Sequence, residues 1–243
     1  MRTNSLSVFF PTYNERQNIE KTLDQAELFI PALGIENYEI FVIDDGSQDG
    51  CNQLVEDRAA QNEHIHLVRH SQRRGYGATI RTGFAHTTRE AIFYTDCDLT
   101  VDLRELGRAL PLLEHADLVV GYRKKRHETF PWVVYSRIYS LLLWALYGVR
   151  VRDAGFSFIL VNRRVLQGVH LTAETAFING QLLAEAQRLK FRIVEIPVEY
   201  IPHQPGHSNS ASLQAYKETL AELFTYWNHH IRTKEKESVV TVP

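Results

Sequence analysis

The sequence predicts an α/β protein with a mostly parallel central sheet and helices on both faces. Two observations carry this. Through the first 120 residues, short β-prone runs alternate with segments of helical period, and such a βαβα rhythm lays parallel strands between crossover helices. Two of the apolar runs also stop at carboxylates, one at Asp44 and Asp45, the other at Asp96 and Asp98. Acids at strand ends stand where open α/β sheets take their ligands.

The elements follow in order. Residues 6–10 read as the first strand. Asn14 is a candidate cap for a helix over 15–29, in which Ile19, Leu23, Ala26 and Ile30 recur at helical spacing. Residues 39–43 form the next strand, 51–61 a helix, 66–69 a short strand. Gly75-Tyr-Gly77 opens a helix running to 86. A strand over 91–95, a helix over 103–113 and a strand over 117–121 complete the regular half. The second half is less regular. It holds an aromatic helix over 131–147, a strand-like run at 156–161, a helix over 176–189, a strand at 191–198, a loop at 202–209 rich in Pro, His and Gly, and a closing amphipathic helix over 213–231. No internal repeat or low-complexity linker divides the chain. It reads as one domain over 1–231, with a ligand-binding half to 123 and a more variable half from 124, followed by a charged, disordered tail over 232–243.

Bulk properties exclude several classes. The 243 residues are 44% hydrophobic and 23% charged with a net charge of −2, values of a folded protein and not of a general nucleic-acid binder, which is more often basic. Of the two cysteines, Cys97 lies inside an acidic motif, where a disulfide would obstruct a site, so a reducing, cytoplasmic setting is expected. No leader is visible ahead of the first strand. No run reaches the ~20 apolar residues that span a bilayer; the nearest, 132–147, is interrupted by Arg137.

Four motifs can carry chemistry. Pro11-Thr-Tyr-Asn-Glu15 follows the first strand, with Pro11 fixing the turn and Tyr13 offering a ring for a base. Asp44-Asp-Gly-Ser47 is, taken alone, also an ordinary turn. Arg73-Arg-Gly-Tyr-Gly-Ala78 can bring helix-terminal N–H groups and cations to an anion. Asp96-Cys-Asp98 suits a divalent cation that also holds a diphosphate, because Mg2+ usually takes one or two protein carboxylates and leaves its other positions to water and phosphate. The pattern points to a nucleotide-linked substrate.

Taken together and in this order, the motifs resemble those of the family 2 glycosyltransferases. Pro11-Thr-Tyr-Asn-Glu15, Asp44-Asp-Gly-Ser47, Gly75-Tyr-Gly77 with Arg81-Thr-Gly83, Asp96-Cys-Asp98 and Gly121-Tyr-Arg123 match that family's N-terminal half. Within the family the chain looks most like the dolichyl- and polyprenyl-phosphate sugar transferases, the dolichol-phosphate mannose synthase group. The resemblance implies a GT-A fold and a metal-dependent inverting transfer from a nucleotide-diphosphate sugar, GDP-mannose or a UDP-sugar, to a polyprenyl or dolichyl phosphate. It implies that Pro11, Tyr13, Glu15, Ile43 and Asp45 cradle the nucleoside. Asp96, Cys97 and Asp98 would hold the diphosphate and a Mg2+ or Mn2+ ion, with Thr100 a further metal ligand. Arg123 and Arg137 would grip the lipid phosphate, a task suited to the guanidinium fork, and Arg123 would also touch the donor. Asp98, Arg123 and Arg137 are the expected catalytic residues.

The aromatic helix supports a lipid acceptor independently. Trp132, Tyr135, Tyr139, Leu142, Leu143 and Leu146 cover most of its circumference, leaving Ser136, Arg137 and Ser140 as a narrow polar arc, a pattern that can lie in a membrane interface or be a buried core helix. Lys124, Lys125, Arg126 and His127 can meet anionic headgroups. The expected location is the cytoplasmic face of a membrane, held peripherally by this helix or by a membrane protein partner. The turn at 176–182 has no acid where many family members carry a catalytic base. A phosphate acceptor needs none; a saccharide or protein hydroxyl would, with Glu174 or Glu185 the nearest acids. In the late loop His203 and Asn209 stand where the subgroup has an Arg and a Lys for the donor diphosphate. That departure leaves a non-catalytic nucleotide-sugar-binding subunit as an alternative.

Overall fold

The computed structural model describes residues 4–126, 130–201 and 213–239, with side chains to 229 in the last segment. Seven strands form one sheet: β1 (Ser5–Thr12), β2 (Asn37–Asp44), β3 (Ile65–Arg69), β4 (Ala91–Thr95), β5 (Leu118–Arg123), β6 (Phe158–Asn162) and β7 (Ile193–Val198). Their order is β3-β2-β1-β4-β6-β5-β7. All neighbours run parallel except β6, which is antiparallel to both β4 and β5. The chain therefore skips a place after β4, lays down β5, and returns through a long helix to fill the gap with β6.

The helices are α1 (Arg16–Ala32), α2 (Cys51–Ala59), α3 (Tyr76–His86), α4 (Leu106–Ala109, between 3-10 turns Leu103–Glu105 and Leu110–Glu114), α5 (Phe130–Tyr147), α6 (Arg163–Gly168), α7 (Phe177–Arg188) and α8 (Leu213–Val239). They cover both faces of the sheet, and the strands sort their side chains between two cores by alternation. Val8 and Phe10 join Ile19, Leu23, Ala26 and Ile30 of α1 on one face. Phe9 joins Tyr94, Ile80 and Phe84 on the other, with Phe177 of α7. There the Phe9 ring stacks on Tyr94 at 4.9 Å and meets Phe84 edge-on at 5.3 Å. Gly83 makes room for it, since a Cβ there would lie 2.4 Å from Phe9 Cε2.

Four sequence expectations change. Asn14 does not cap α1: its φ is +56° and its side chain bonds elsewhere, while α1 begins after Glu15 with no side-chain cap. The helix expected over 103–113 is broken into three short pieces, and Pro111, which lacks an N–H and crowds the preceding turn, sits in the last of them. The strand-like run at 156–161 starts later, at Phe158, and a short helix, α6, follows it. Finally, α8 continues through Lys234, Glu235, Lys236 and Glu237 to Val239, because Lys and Glu are strong helix formers.

Candidate active site

The carboxyl ends of β1, β2 and β4 build the site. Thr12 closes β1, and its carbonyl accepts the Asp45 N–H at 2.9 Å. The Asn14 N–H donates to Ser47 Oγ at 2.8 Å, and Asn14 Oδ1 accepts the Gln48 N–H at 3.0 Å. The left-handed backbone of Asn14 is what turns its side chain across to the neighbouring loop; Asn tolerates that conformation better than most residues. The two strand-end loops are thereby locked together. Between them Tyr13 lies partly exposed, with the Arg73 guanidinium 4.4 Å over its ring. This is a cation–π pair, and both of its flat groups can stack on a base. Pro11 pairs with Ile43 in the β1–β2 register, and the Ile43 side chain is fully buried in the core, so only its main chain can face a ligand.

Asp45, expected to help cradle a nucleoside, is hydrogen-bonded within the protein. Its Oδ1 accepts from the Arg74 N–H at 2.8 Å and sits 2.7 Å from His70 Nδ1, while Oδ2 accepts the Gly75 N–H at 2.8 Å. His70 Nε2 lies 2.9 Å from Thr82 Oγ1. The anion that the 73–78 segment binds is thus the protein's own carboxylate. The Gly77 N–H is also taken, by the Glu174 carbonyl at 2.9 Å, so these loop and helix-start donors are spent on structure. Arg81 is spent likewise, on the Ala173 carbonyl and on Glu174.

The acidic centre sits at the end of β4. Asp96 Oδ1 accepts from the Tyr76 hydroxyl at 2.9 Å, and that hydroxyl lies 3.1 Å from Ser157 Oγ. Asp98 Oδ1 accepts from the Thr100 N–H at 3.0 Å and the Thr100 hydroxyl at 2.7 Å. Thr100 therefore orients Asp98. Leu99 between them has φ +59°, a conformation costly for a branched side chain and typical of sites under functional constraint. Burial raises Asp96 well above the usual carboxylate range, and the charges of Asp98 and Glu15 raise it further. Glu15 is pushed up to about 6, first by burial and then by Asp98 and Asp49. Three carboxylates thus repel one another in a partly dry pocket, which a cation would relieve. Among the described residues no three His, Cys, Asp or Glu side chains converge as a closed metal cage, so an ion here would take its remaining ligands from water and substrate, as Mg2+ does. The Cys97 side chain points the other way. Its Sγ is buried in the α1 core, 3.5 Å from Thr22 Oγ1, and burial holds the thiol far above its ordinary value. Residues 96–98 lie just past the end of β4, in the bend that carries the chain out of the sheet.

Arg123 ends β5 and grips Asp153 in a fork, Nε to Oδ2 at 2.7 Å and Nη2 to Oδ1 at 3.0 Å, between the rings of Phe156 and Tyr200. Ser136 of α5 also donates to Asp153 Oδ1 at 2.8 Å. Arg137 is exposed on α5, turned away from that cluster. His203, Asn209 and His127 lie outside the described residues. The faces of α5 differ from the expected arrangement. Ser136 and Ser140 are buried with Tyr139 and Leu143. The outward side instead carries Phe130, Val134, Ile138, Leu141 and Trp144, which are 80, 37, 46, 57 and 49% exposed.

A family model described as Glycosyl transferase family 2 matches residues 7–169, about two-thirds of the chain. The chain belongs to glycosyl transferase family 2. Solved structures agree on the fold. Glucosyl-3-phosphoglycerate synthase from Mycobacterium tuberculosis, in complex with Mn2+, UDP and glucosyl-3-phosphoglycerate, superposes with a TM-score of 0.71 at 20% identity over 91% of this chain and 79% of that one. The same enzyme with Mn2+, UDP-glucose and phosphoglyceric acid gives 0.70 at 21% identity, over 93 and 80%. A mannosyltransferase from Pyrobaculum calidifontis in complex with GDP-Man and Mn2+ gives 0.64 at 21% identity, covering 93% of this chain and 64% of that one. The GT-A fold read from the motifs is the fold observed, and the chain is a glycosyltransferase.

In this family 2 glycosyltransferase the two acids near the expected base position are both engaged. Glu185 is buried in α7 and bonded to Arg188 at 2.7 Å and to the Tyr226 hydroxyl. Glu174 pairs with Arg81 at 3.0 Å. Tyr76, Ser157 and His70 were given no role by the sequence reading. Tyr76 had a signal, since it lies between two glycines at a helix start. Ser157 and His70 carried none.

Proposed function

We propose that this glycosyltransferase moves a sugar from a nucleotide-diphosphate sugar to a polyprenyl phosphate at a membrane surface, with a Mg2+ or Mn2+ ion held by Asp96 and Asp98. The observation that carries the donor half is the clustering of Glu15, Asp96 and Asp98: burial and the neighbouring negative charges raise the proton affinity of Glu15 and Asp96, which marks a place suited to positive charge. The ion would neutralise charge developing on the departing diphosphate. Tyr13 and Arg73 offer the flat surfaces for the base. Two neighbours of the same fold hold Mn2+ with UDP-glucose and with GDP-Man, which supports the same class of donor here.

The acceptor half rests on α5 and on the engagement of Glu174 and Glu185 with other side chains. The outward face of α5 carries Phe130, Val134, Ile138, Leu141 and Trp144, with the exposed Arg137 among them. Residues 123–152 carry seven Lys or Arg against one Glu, the sign that anionic headgroups attract. No described helix is long and apolar enough to cross a membrane, so the contact would be interfacial. A lipid phosphate is already an anion. Its oxygen attacks the anomeric carbon, the bond from that carbon to the diphosphate oxygen breaks, and the nucleoside diphosphate leaves with the electron pair. No proton has to be removed, which fits a site where Glu185 and Glu174 are already paired.

A second reading replaces the lipid with a soluble phosphate compound, as phosphoglyceric acid in the mycobacterial neighbour suggests. One assay separates the two. With radiolabelled UDP- or GDP-sugar and Mn2+, label is expected in butanol-extractable lipid when polyprenyl phosphate is supplied. Label passing only to phosphoglycerate would overturn the lipid acceptor, and label passing to neither would overturn both.

A further inference from the structure

We propose that Glu222 of α8 is a positioning residue for the sugar transfer: it fixes the segment 172–175 against α3, and through α3 it sets the Tyr76 hydroxyl on Asp96. The inference rests on the reading above in which Asp96 holds a metal ion. Segment 172–175 lies between α6 and α7 and belongs to no helix or strand, so its backbone groups must find partners elsewhere. Gln181 of α7 accepts the Thr172 and Ala173 N–H groups at 2.9 and 2.8 Å. Glu222 accepts the next two, from Glu174 at 2.7 Å and from Thr175 at 3.0 Å, and its Oε2 also takes the Thr175 hydroxyl at 2.6 Å. One carboxylate from another helix thus gathers the donors just ahead of α7, where the partial positive charge of the helix end favours an anion. Bonds to an ionised acceptor are roughly twice as strong as neutral ones, so this carboxylate is the firmest hold on the segment.

The carbonyls of the same segment face α3. The Glu174 carbonyl accepts the Gly77 N–H at 2.9 Å, and Arg81 donates to the Ala173 carbonyl and to the Glu174 side chain. There is no slack in this seat, because a Cβ on Gly77 would overlap the Ala173 oxygen. Gly77 follows Tyr76, whose hydroxyl donates to Asp96 at 2.9 Å. The linkage therefore runs from the Glu222 carboxylate to the N–H groups of 174 and 175, from the 174 carbonyl to the first turn of α3, and from the phenol of that turn to the acidic centre. Its far end is anchored too: Leu223 is fully buried, and its carbonyl accepts the Tyr147 hydroxyl of α5 at 2.8 Å. A change at residue 222 is thus read at Asp96, although α8 supplies none of the three carboxylates there.

The test uses the full chain, first without metal. Glu222→Gln turns one acceptor oxygen into an amide donor that faces the same N–H groups. In EDTA, hydrogen exchange of the Gly77 amide is expected to quicken in this variant at least tenfold beyond that in Gly34→Ala, a control destabilised in the loop after α1. Mn2+ binding is then measured in the presence of UDP and, separately, GDP, from the electron paramagnetic resonance of the free ion. The Mn2+ dissociation constant is expected to rise at least threefold in Glu222→Gln and to stay at the wild-type value in Gly34→Ala. Adding Glu222→Gln to Tyr76→Phe should raise it no further, because both changes act through one phenol. If Glu222→Gln fails to fold, Glu222→Asp reports instead, since it keeps the charge and withdraws the oxygens by one methylene. Exchange or Mn2+ affinity equal to that of the Gly34→Ala control, or losses that add in the double variant, overturn the inference. A wild type that binds no Mn2+ with either nucleotide would instead sink the reading of Asp96 as a metal ligand, and exchange at Gly77 would still decide whether Glu222 seats α3.

Discussion

The Tyr76 hydroxyl stands 2.9 Å from Asp96 Oδ1 and 3.1 Å from Ser157 Oγ, so one phenol joins the start of α3 to the carboxylate that follows β4 and to the loop entering β6. A hydrogen bond to a charged group is worth roughly 1.5–3 kcal/mol. It acts here on the orientation of Asp96 and on its readiness to ionise. Tyr76→Phe keeps the ring and removes the bond. The Mn2+ concentration for half-maximal activity is therefore expected to rise about tenfold or more, with much of kcat recovered at saturating metal. Loss of kcat with an unchanged metal requirement would contradict this role.

Asp96 also makes a prediction about pH. Its folded-state proton affinity is raised by burial and by Asp98 and Glu15. Below about pH 4, the ordinary carboxylate range, folded and unfolded chains both hold the proton and nothing is lost. As pH rises through that range and past the raised folded value, the unfolded chain gives up its proton first, and the fold loses stability. Glu15, pushed up to about 6, acts in the same direction. Asp96→Asn keeps an acceptor for Tyr76 and removes the charge. The metal-free variant is expected to melt a few degrees above wild type at pH 8 and level with it near pH 4, while gaining no stability from donor with Mn2+. Equal melting curves for the two proteins across that range would refute the repulsion.

How far the sequence could be read follows from which forces were local. Asp96 and Asp98 were legible because an apolar run ended on them, and the strand that run predicts puts its end at the ligand face. Cys97, which the resemblance groups with its neighbours, is buried against Thr22 in the α1 core. Ser136 and Ser140 misled for a related reason. On a helix this apolar, the few polar groups go where they find partners, and Asp153 supplies one. Nothing in the motif of Asp45 reveals that His70, Arg74 and Gly75 close around its carboxylate. Long-range polar partners of this kind leave no period and no spacing in a sequence.

Gly77 tests the packing that seats Tyr76. A Cβ on it would lie 2.1 Å from the Ala173 carbonyl oxygen, a backbone atom that cannot swing aside. Gly77→Ala is expected to cost about 1–3 kcal/mol, read as a lower denaturation midpoint in urea. Gly34 is the comparison: its φ is +72° but nothing lies within 4 Å of an added Cβ, so Gly34→Ala carries only the left-handed backbone strain, about 1–2 kcal/mol. A midpoint for Gly77→Ala equal to wild type would show that the 173–175 segment moves freely, and the close seat of α3 against it would have to be abandoned.

The outward face of α5 makes the last prediction. Ile138, Leu141 and Trp144 are about half exposed and project away from both cores, so a charge placed there should not disturb the fold, whereas a charge at Leu143 on the inward side should. Each fully buried apolar side chain of this size contributes about 1.5–3 kcal/mol when it leaves water, so burying the exposed half of all three would contribute roughly 2–5 kcal/mol to attachment at a surface. Ile138→Glu with Leu141→Glu is therefore expected to abolish co-sedimentation with vesicles containing anionic lipid, to leave the melting temperature within about a degree, and to cut transfer to polyprenyl phosphate in vesicles at least tenfold. Transfer to a short, water-soluble polyprenyl phosphate should be unchanged, because Asp96, Asp98 and the Asp153 cluster are untouched. Vesicle binding that survives the double substitution would move the membrane contact off α5. An equal loss with the soluble acceptor would show that this face serves the catalytic site itself, and the apolar stripe would then need an occupant other than lipid.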